Sequence, residues 1–218
     1  MQIKRIIDVS ATIKPDMALW PDDGGLKISR RTLISEGGAC NLSSISFSLH
    51  TGTHADAPFH FYDEGRDIAS LDLSRFIGFV KVFDLGNVNN ISRSDIEKLG
   101  IEKGDTVFLK TSNSFINEAL PFTEEYIALD VSAAWYLANT GIKCVGVDYL
   151  SIDEYNKGHH DVHMVLLSKE IGIIEGLNLR DVEPGTYFFS ALPLKIENAD
   201  GSPIRAVLVE FEESGEKK

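Results

Sequence analysis

The sequence predicts a single domain of mixed α/β class, with more strand than helix. Three observations carry that expectation. The chain has 218 residues, 43% of them hydrophobic and 25% charged, which suits one large globular domain. Several segments alternate apolar and polar residues with period two, as half-buried strands do. The middle of the chain runs strand, helix, strand, the order that gives a parallel pair. There is no internal repeat and no low-complexity tract, and only residues 212–218 read as a charged, solvated tail. The domain is therefore expected over 1–211.

The elements follow in order. Ile3 to Ser10 reads as a strand. Asn41 to His50 reads as a second, with Ile45, Phe47 and Leu49 on one side and Ser44, Ser46, Ser48 and His50 on the other. Phe79 to Asp84 is a third. Ser92 with Asp95 three residues later has the pattern of a capping box, and Gly100 suits the position after a helix end, so a short helix is expected over Arg93 to Leu99. Lys103-Gly104-Asp105 turns the chain into a strand, Thr106 to Lys110. Asp130 caps a second helix through Ala138, stopped near Gly141. Lys143 to Asp148 is a strand with Val145 and Val147 toward the core. Ile171 to Ile174 is another apolar strand. Thr186 to Pro193 and Ala206 to Glu212 close the chain as strands.

Composition excludes some functions. A formal net charge of −12 disfavours a nucleic-acid or anionic-membrane surface. No apolar run approaches the length of a membrane span. The first residues carry no signal-peptide pattern. Cys40 and Cys144 form neither a C-x-x-C pair nor a disulfide framework, which fits a reducing cytoplasm.

The chemistry concentrates in His50-Thr51-Gly52-Thr53-His54-Ala55-Asp56-Ala57-Pro58-Phe59-His60. Three of the six histidines and one carboxylate fall within eleven residues. Gly and Pro interrupt the spacing, so one helix face is excluded and a strand running into a bent loop is expected. Imidazole nitrogens and a carboxylate oxygen are ligands for zinc or manganese. His60 is left over as an acid or base, or as a further ligand. His159 and His163 are four apart and would share a helix face, but His159 and His160 follow Gly158 and read as loop. Glu175 follows an apolar strand with no adjacent cation. It either ends the strand in water or meets a metal, since a buried unpaired carboxylate costs several kcal/mol. Trp20 by itself reads equally as core. Asp153-Glu154 and the acids of 210–213 read as solvated surface.

These residues resemble a known family. The histidine string resembles the H-x-G-T-H-x-D-x-P-x-H signature of the bacterial kynurenine formamidase and cyclase-like metal-dependent hydrolases. Trp20-Pro21-Asp22-Asp23 is similar to that family's early W-P-G-D segment, with Asp22 where Gly is usual. Asp161-Val162-His163 with Glu175-Gly176-Leu177 resembles its second ligand set, and Ser202-Pro203-Ile204-Arg205-Ala206 its C-terminal signature. The likeness spans about residues 6–210, with motifs in family order.

The resemblance implies a compact β/β/α fold with a barrel-like sheet and few helices. It implies metal ligation by His50, His54, Asp56, His163 and Glu175, acid–base catalysis by His60, and an aromatic wall at Trp20. Five ligands suit two ions, one on His50, His54 and Asp56, the other on His163 and Glu175, with a carboxylate bridging. The implied cofactor is one or two divalent ions per chain, zinc first and manganese second. The implied activity is that of an arylformamidase of tryptophan catabolism: metal-activated water attacks N-formyl-L-kynurenine, giving L-kynurenine and formate. Hydrolysis of a cyclic amide or lactone such as isatin is the alternative, and a non-catalytic metal or ligand-binding protein the third reading. The family tendency is a homodimer or homotetramer.

Overall fold

The computed structural model describes residues 2–21, 23–116, 121–155 and 158–212. Asp22, where the family motif departs, and the tail after Glu212 lie outside them. The chain begins with β1 (Ile3–Asp8) and a ribbon of β2 (Lys27–Thr32) and β3 (Leu42–Ser46). There follow β4 (His54–Asp56), β5 (Ile77–Gly86), α1 (Arg93–Ile96), β6 (Thr106–Thr111), α2 (Val131–Thr140) and β7 (Cys144–Val147). The last elements are α3 (Asp161–Leu167), β8 (Gly172–Glu175), β9 (Gly185–Ser190), β10 (Gly201–Pro203) and β11 (Val207–Phe211).

Nine strands form one sheet in the order β1-β11-β9-β5-β6-β7-β8-β4-β10. The central four, β5 to β8, pair in parallel, and antiparallel strands extend the sheet on both sides. The sheet curls as a half-barrel, and three α-helices are present among the described residues. This is the expected mixed α/β fold with a barrel-like sheet.

Burial on both faces explains the near-continuous apolar runs of β6, β7 and β8. Val107, Leu109, Val145, Val147 and Ile173 face a core shared with Leu137 of α2 and Leu166 of α3. Phe108, Cys144 and Ile174 face the other core, with Val80, Phe189 and Leu208. Fully burying each such side chain stabilises by about 1.5–3 kcal/mol. Gly146 lies where the second core is tightest. A Cβ there would stand 2.5 Å from Phe108 Cδ1 and 2.6 Å from Leu177 Cδ1, so Gly146→Ala must displace that ring.

Several elements differ from expectation. The strand drawn over 41–50 ends at Ser46, pairs only with β2, and exposes Ile45 by 49%. Its alternation records the pleat of a free ribbon and not a half-buried face. His50 lies in the turn beyond it. The helix drawn to Leu99 makes one turn and stops at Ile96, because the chain tightens there and the Leu99 N–H reaches Ile96 O at 3.1 Å. Its capping box is present, the Ser92 N–H donating to Asp95 at 2.8 Å. α2 runs two residues past Ala138 and stops at Gly141, which takes a φ of +77°. α3 was not anticipated as a helix, although Val162, His163, Leu166 and Leu167 make its buried stripe. β9 ends at Ser190, short of Pro193.

Candidate metal centre

β4 and β8 lie antiparallel, and their register sets His54 directly against Glu175. Successive strand residues point to opposite faces. His54 and Asp56 therefore share one face, while Ala55 between them enters the core. The approach of the two strand ends depends on glycine. Gly176 takes a φ of +68°, and a Cβ on it would stand 2.4 Å from Gly52 O. Gly201 makes room for the His50 ring, whose Cε1 would be 2.8 Å from an added Cβ.

Five side chains converge here. His50 Nδ1 is 2.9 Å from Asp56 Oδ1. His54 Nε2 is 3.2 Å from Glu175 Oε2 and 3.5 Å from Asp56 Oδ1. His163 Nε2 is 3.0 Å from Glu175 Oε1 and 3.5 Å from Asp56 Oδ2. His54, Asp56, His163 and Glu175 are all buried, and His50 is partly so. Glu175 is 3% exposed, so it does not end its strand in water. Its Oε1 also accepts the Ile152 N–H at 2.7 Å.

The outer nitrogens of the three rings decide what the inner ones do. His54 Nδ1 donates to Gly52 O at 2.9 Å. His163 Nδ1 donates to Asp153 Oδ2 at 2.5 Å. His50 Nε2 lies 2.9 Å from Asp200 Oδ2. With the outer N–H so placed, each neutral ring turns a lone pair inward, toward carboxylate oxygens that are themselves acceptors. His54 Nε2 and Asp56 Oδ2 are buried with no hydrogen-bond partner among the described residues. Facing lone pairs repel unless a proton or a metal ion lies between them, and a buried set of this kind suits a metal ion. His50, His54 and Asp56 form one group able to hold an ion, and Asp56, His163 and Glu175 another. Asp56 belongs to both.

Charge leads to the same point. Burial pushes the Asp56 carboxyl up, but the imidazoles of His163, His50 and His54 beside it hold it well below the ordinary value. Glu175 is lowered as well, burial and Asp56 working against His163 and His54. The imidazoles respond in kind. Burial opposes charge on His50, yet Asp200 and Asp56 carry it up to about 10, and His163 is raised well above its ordinary value. Acceptors that draw protons this strongly suit a divalent cation on the same electrostatic grounds.

His60 stands apart in character. It ends a short turn, Pro58–His60, and its ring stacks on His50 with centroids 4.0 Å apart. Its Nδ1 is 3.7 Å from Asp200 Oδ2, beyond hydrogen-bond length. Burial lowers its pKa to about 4, so its ring is neutral at pH 7 and able to accept a proton. His60, His50, His163, Glu175 and Trp20 line one cavity of 240 Å³. Trp20 forms a wall of it and meets Phe122 and Tyr155 edge-on, with centroids 5.1 and 5.4 Å away. His159 and His160 precede α3 as loop, as expected, and His160 also reaches the cavity.

Two further acids belong to the site. Asp153, expected on the solvated surface, is 6% exposed. Its carboxylate accepts the Val162 and His163 N–H groups that open α3, besides the His163 ring. Burial is tolerated because four protons of protein origin are not needed; two backbone donors and one imidazole suffice to satisfy it. Asp200 precedes β10, which pairs with β4. Its sequence signal was only its place two residues before the Ser202-Pro203 signature.

Comparison with known proteins fits this geometry. The cyclase family profile matches residues 7–154. A kynurenine formamidase of Bacillus cereus is 33% identical over 208 residues, 95% of this chain and 99% of the relative. One of Geobacillus thermodenitrificans is 36% identical over 206 residues, 93% and 96% of the two chains. A solved structure described as a potential metal-dependent hydrolase with cyclase activity superposes with a TM-score of 0.84 at 38% identity, covering 96% of this chain and 99% of the other. Isatin hydrolase A from Labrenzia aggregata superposes with a TM-score of 0.81 at 24% identity, over 95% and 94% of the chains, a likeness of fold.

Proposed function

This chain belongs to the cyclase family, and from that premise we propose that it is a metal-dependent amide hydrolase acting as an arylformamidase. It converts N-formyl-L-kynurenine to L-kynurenine and formate. The observation that carries the reading is one cavity holding an acceptor cluster built for cations, a neutral imidazole at its rim and an indole wall. The kynurenine formamidase relatives, similar over nearly the whole chain, support the substrate.

His50, His54 and Asp56 would hold one ion, and His163 and Glu175 a second, with Asp56 shared. Zinc suits this nitrogen and oxygen set, with manganese the alternative. A bound divalent ion polarises a carbonyl and brings the pKa of water to about 7. Asp153, Gly52 O and Asp200 fix the rings, so that the inner nitrogens are presented without rearrangement. Trp20 orients the aryl ring. His60 accepts the proton of the attacking water at a ring nitrogen and delivers it to the departing aryl amine. No step asks any side chain to form a covalent bond.

The reaction places the protein in tryptophan catabolism, and its free thiols at Cys40 and Cys144 suit the cytoplasm. No helix among the described residues is long and apolar enough to cross a membrane. The partner is a second copy, joined through the ribbon whose Ile28, Leu42 and Ile45 face outward. Ile45→Asp should shift the sedimentation coefficient toward a monomer; an unchanged value removes the ribbon from the interface.

The test of function is hydrolysis with and without chelator. Turnover of N-formyl-L-kynurenine that chelator abolishes and zinc or manganese restores is the expected result. Turnover of isatin alone selects a cyclic amide hydrolase, and full activity after demetallation refutes the metal.

A further inference from the structure

Asp23 lines the same cavity as His60 and Trp20 but takes no part in the metal-binding groups. Its Oδ2 is buried and meets no hydrogen-bond partner among the described residues. Its backbone is engaged otherwise, the Asp23 N–H donating to Trp20 O at 3.2 Å. Both Trp20 and Asp23 line the cavity. A buried acceptor left without a donor is costly, so such an atom marks where a ligand's donor belongs. The cluster's own carboxylates each have an imidazole nitrogen within 3.5 Å. Asp23 is the acid of this cavity that no imidazole answers.

The occupant must then carry a donor that reaches Asp23. A cationic donor suits best, because a charge-assisted bond to a carboxylate is stronger than a neutral one. We propose that Asp23 is a specificity-determining residue that accepts a hydrogen bond from a primary ammonium on the substrate. The substrate class is thereby an aryl formamide bearing an amine on its side chain. Isatin has no such amine. The inference rests on the formamidase reading and narrows it.

The experiment compares kcat/KM for N-formyl-L-kynurenine and for its des-amino analogue, 4-(2-formamidophenyl)-4-oxobutanoate, with isatin as a third probe. The wild-type protein should prefer the amine-bearing formamide by roughly 10- to 100-fold, the worth of a hydrogen bond to a charged group. In Asp23→Asn that ratio should fall to within about threefold, since a neutral amide keeps an acceptor but loses the charge assistance. Calorimetry with L-kynurenine and its des-amino analogue reads the same contrast without turnover. Equal use of the two formamides by the wild type overturns the inference while leaving the formamidase reading intact. An unchanged ratio in Asp23→Asn also overturns it, whether or not both rates fall together. Hydrolysis of isatin with neither formamide touched overturns both.

Discussion

The two sides of the cavity are made of different material. The imidazole–carboxylate side stands on β4, β8 and α3 with His50 in a turn beside them, and its members other than His50 are nearly sealed: His54 and Asp56 are 1% exposed, Glu175 3% and His163 4%. The aromatic side stands on irregular chain. Trp20, Asp23, Phe122 and Tyr155 all lie outside strands and helices, and all are partly exposed. A sheet register sets His54 against Glu175 on the first side, and loops set the second. Chemistry is thus tied to the fold, whereas selectivity is free to change with the loops. That division fits a fold shared with isatin hydrolases in a family whose similar relatives are kynurenine formamidases.

The largest expected effect lies on the sealed side. Glu175→Gln keeps an oxygen for the Ile152 N–H and removes the charge facing His54 and His163. Metal content should fall from about two ions per chain toward one, and kcat/KM by more than about 10³-fold, since an ion supplies several kcal/mol in the transition state. Far-UV circular dichroism should stay unchanged. Full metal content in the variant would remove Glu175 from the ligand set.

His60→Ala comes next. It should lose about 10²–10⁴-fold in kcat, the usual worth of a general acid or base, with metal content intact. A parallel loss of metal would make His60 a ligand and move it across the divide. Asp153→Asn should cost about 10–100-fold in metal affinity, measured by competition with a chelating dye, if Asp153 orients His163 as a proposed ligand. An affinity equal to wild type would mean that α3 alone holds the His163 ring.

The same divide governs what the sequence made legible. The proposed site chemistry is local: the ligand candidates His50, His54 and Asp56 and the acid–base candidate His60 sit in one short segment, and residue type and spacing announce them. The pairing of His54 with Glu175 is not local, and only the β4–β8 register shows it. Asp153 and Asp200 were illegible because a buried carboxylate looks like a surface one until its donors are known. β3 shows the converse failure, since period two belongs to any pleated strand, and burial depends on what lies against it. The wall was the least legible part, because an indole beside Pro21 carries no periodic signal for its partners Phe122 and Tyr155.

The smallest effect should be that of Trp20→Ala, and it is the sharpest test of whether the two sides are separable. Edge-on contacts with Phe122 and Tyr155 and a stacked aryl ring are each worth about 0.5–1.5 kcal/mol. Loss of the substrate contact alone should raise KM by roughly 2- to 10-fold. The formyl group would still meet the cluster, so kcat should hold within about threefold, and an interaction present in both ground and transition states appears in KM. Metal content should not change, since no atom of Trp20 belongs to either metal-binding group. The measurement is kcat and KM for N-formyl-L-kynurenine alongside metal analysis of the same sample. A fall in kcat with metal retained would mean that the wall positions the formamide for His60, and so takes part in the chemistry. A fall in metal content would go further and show that the loops brace the cluster, which would break the separation of the two sides.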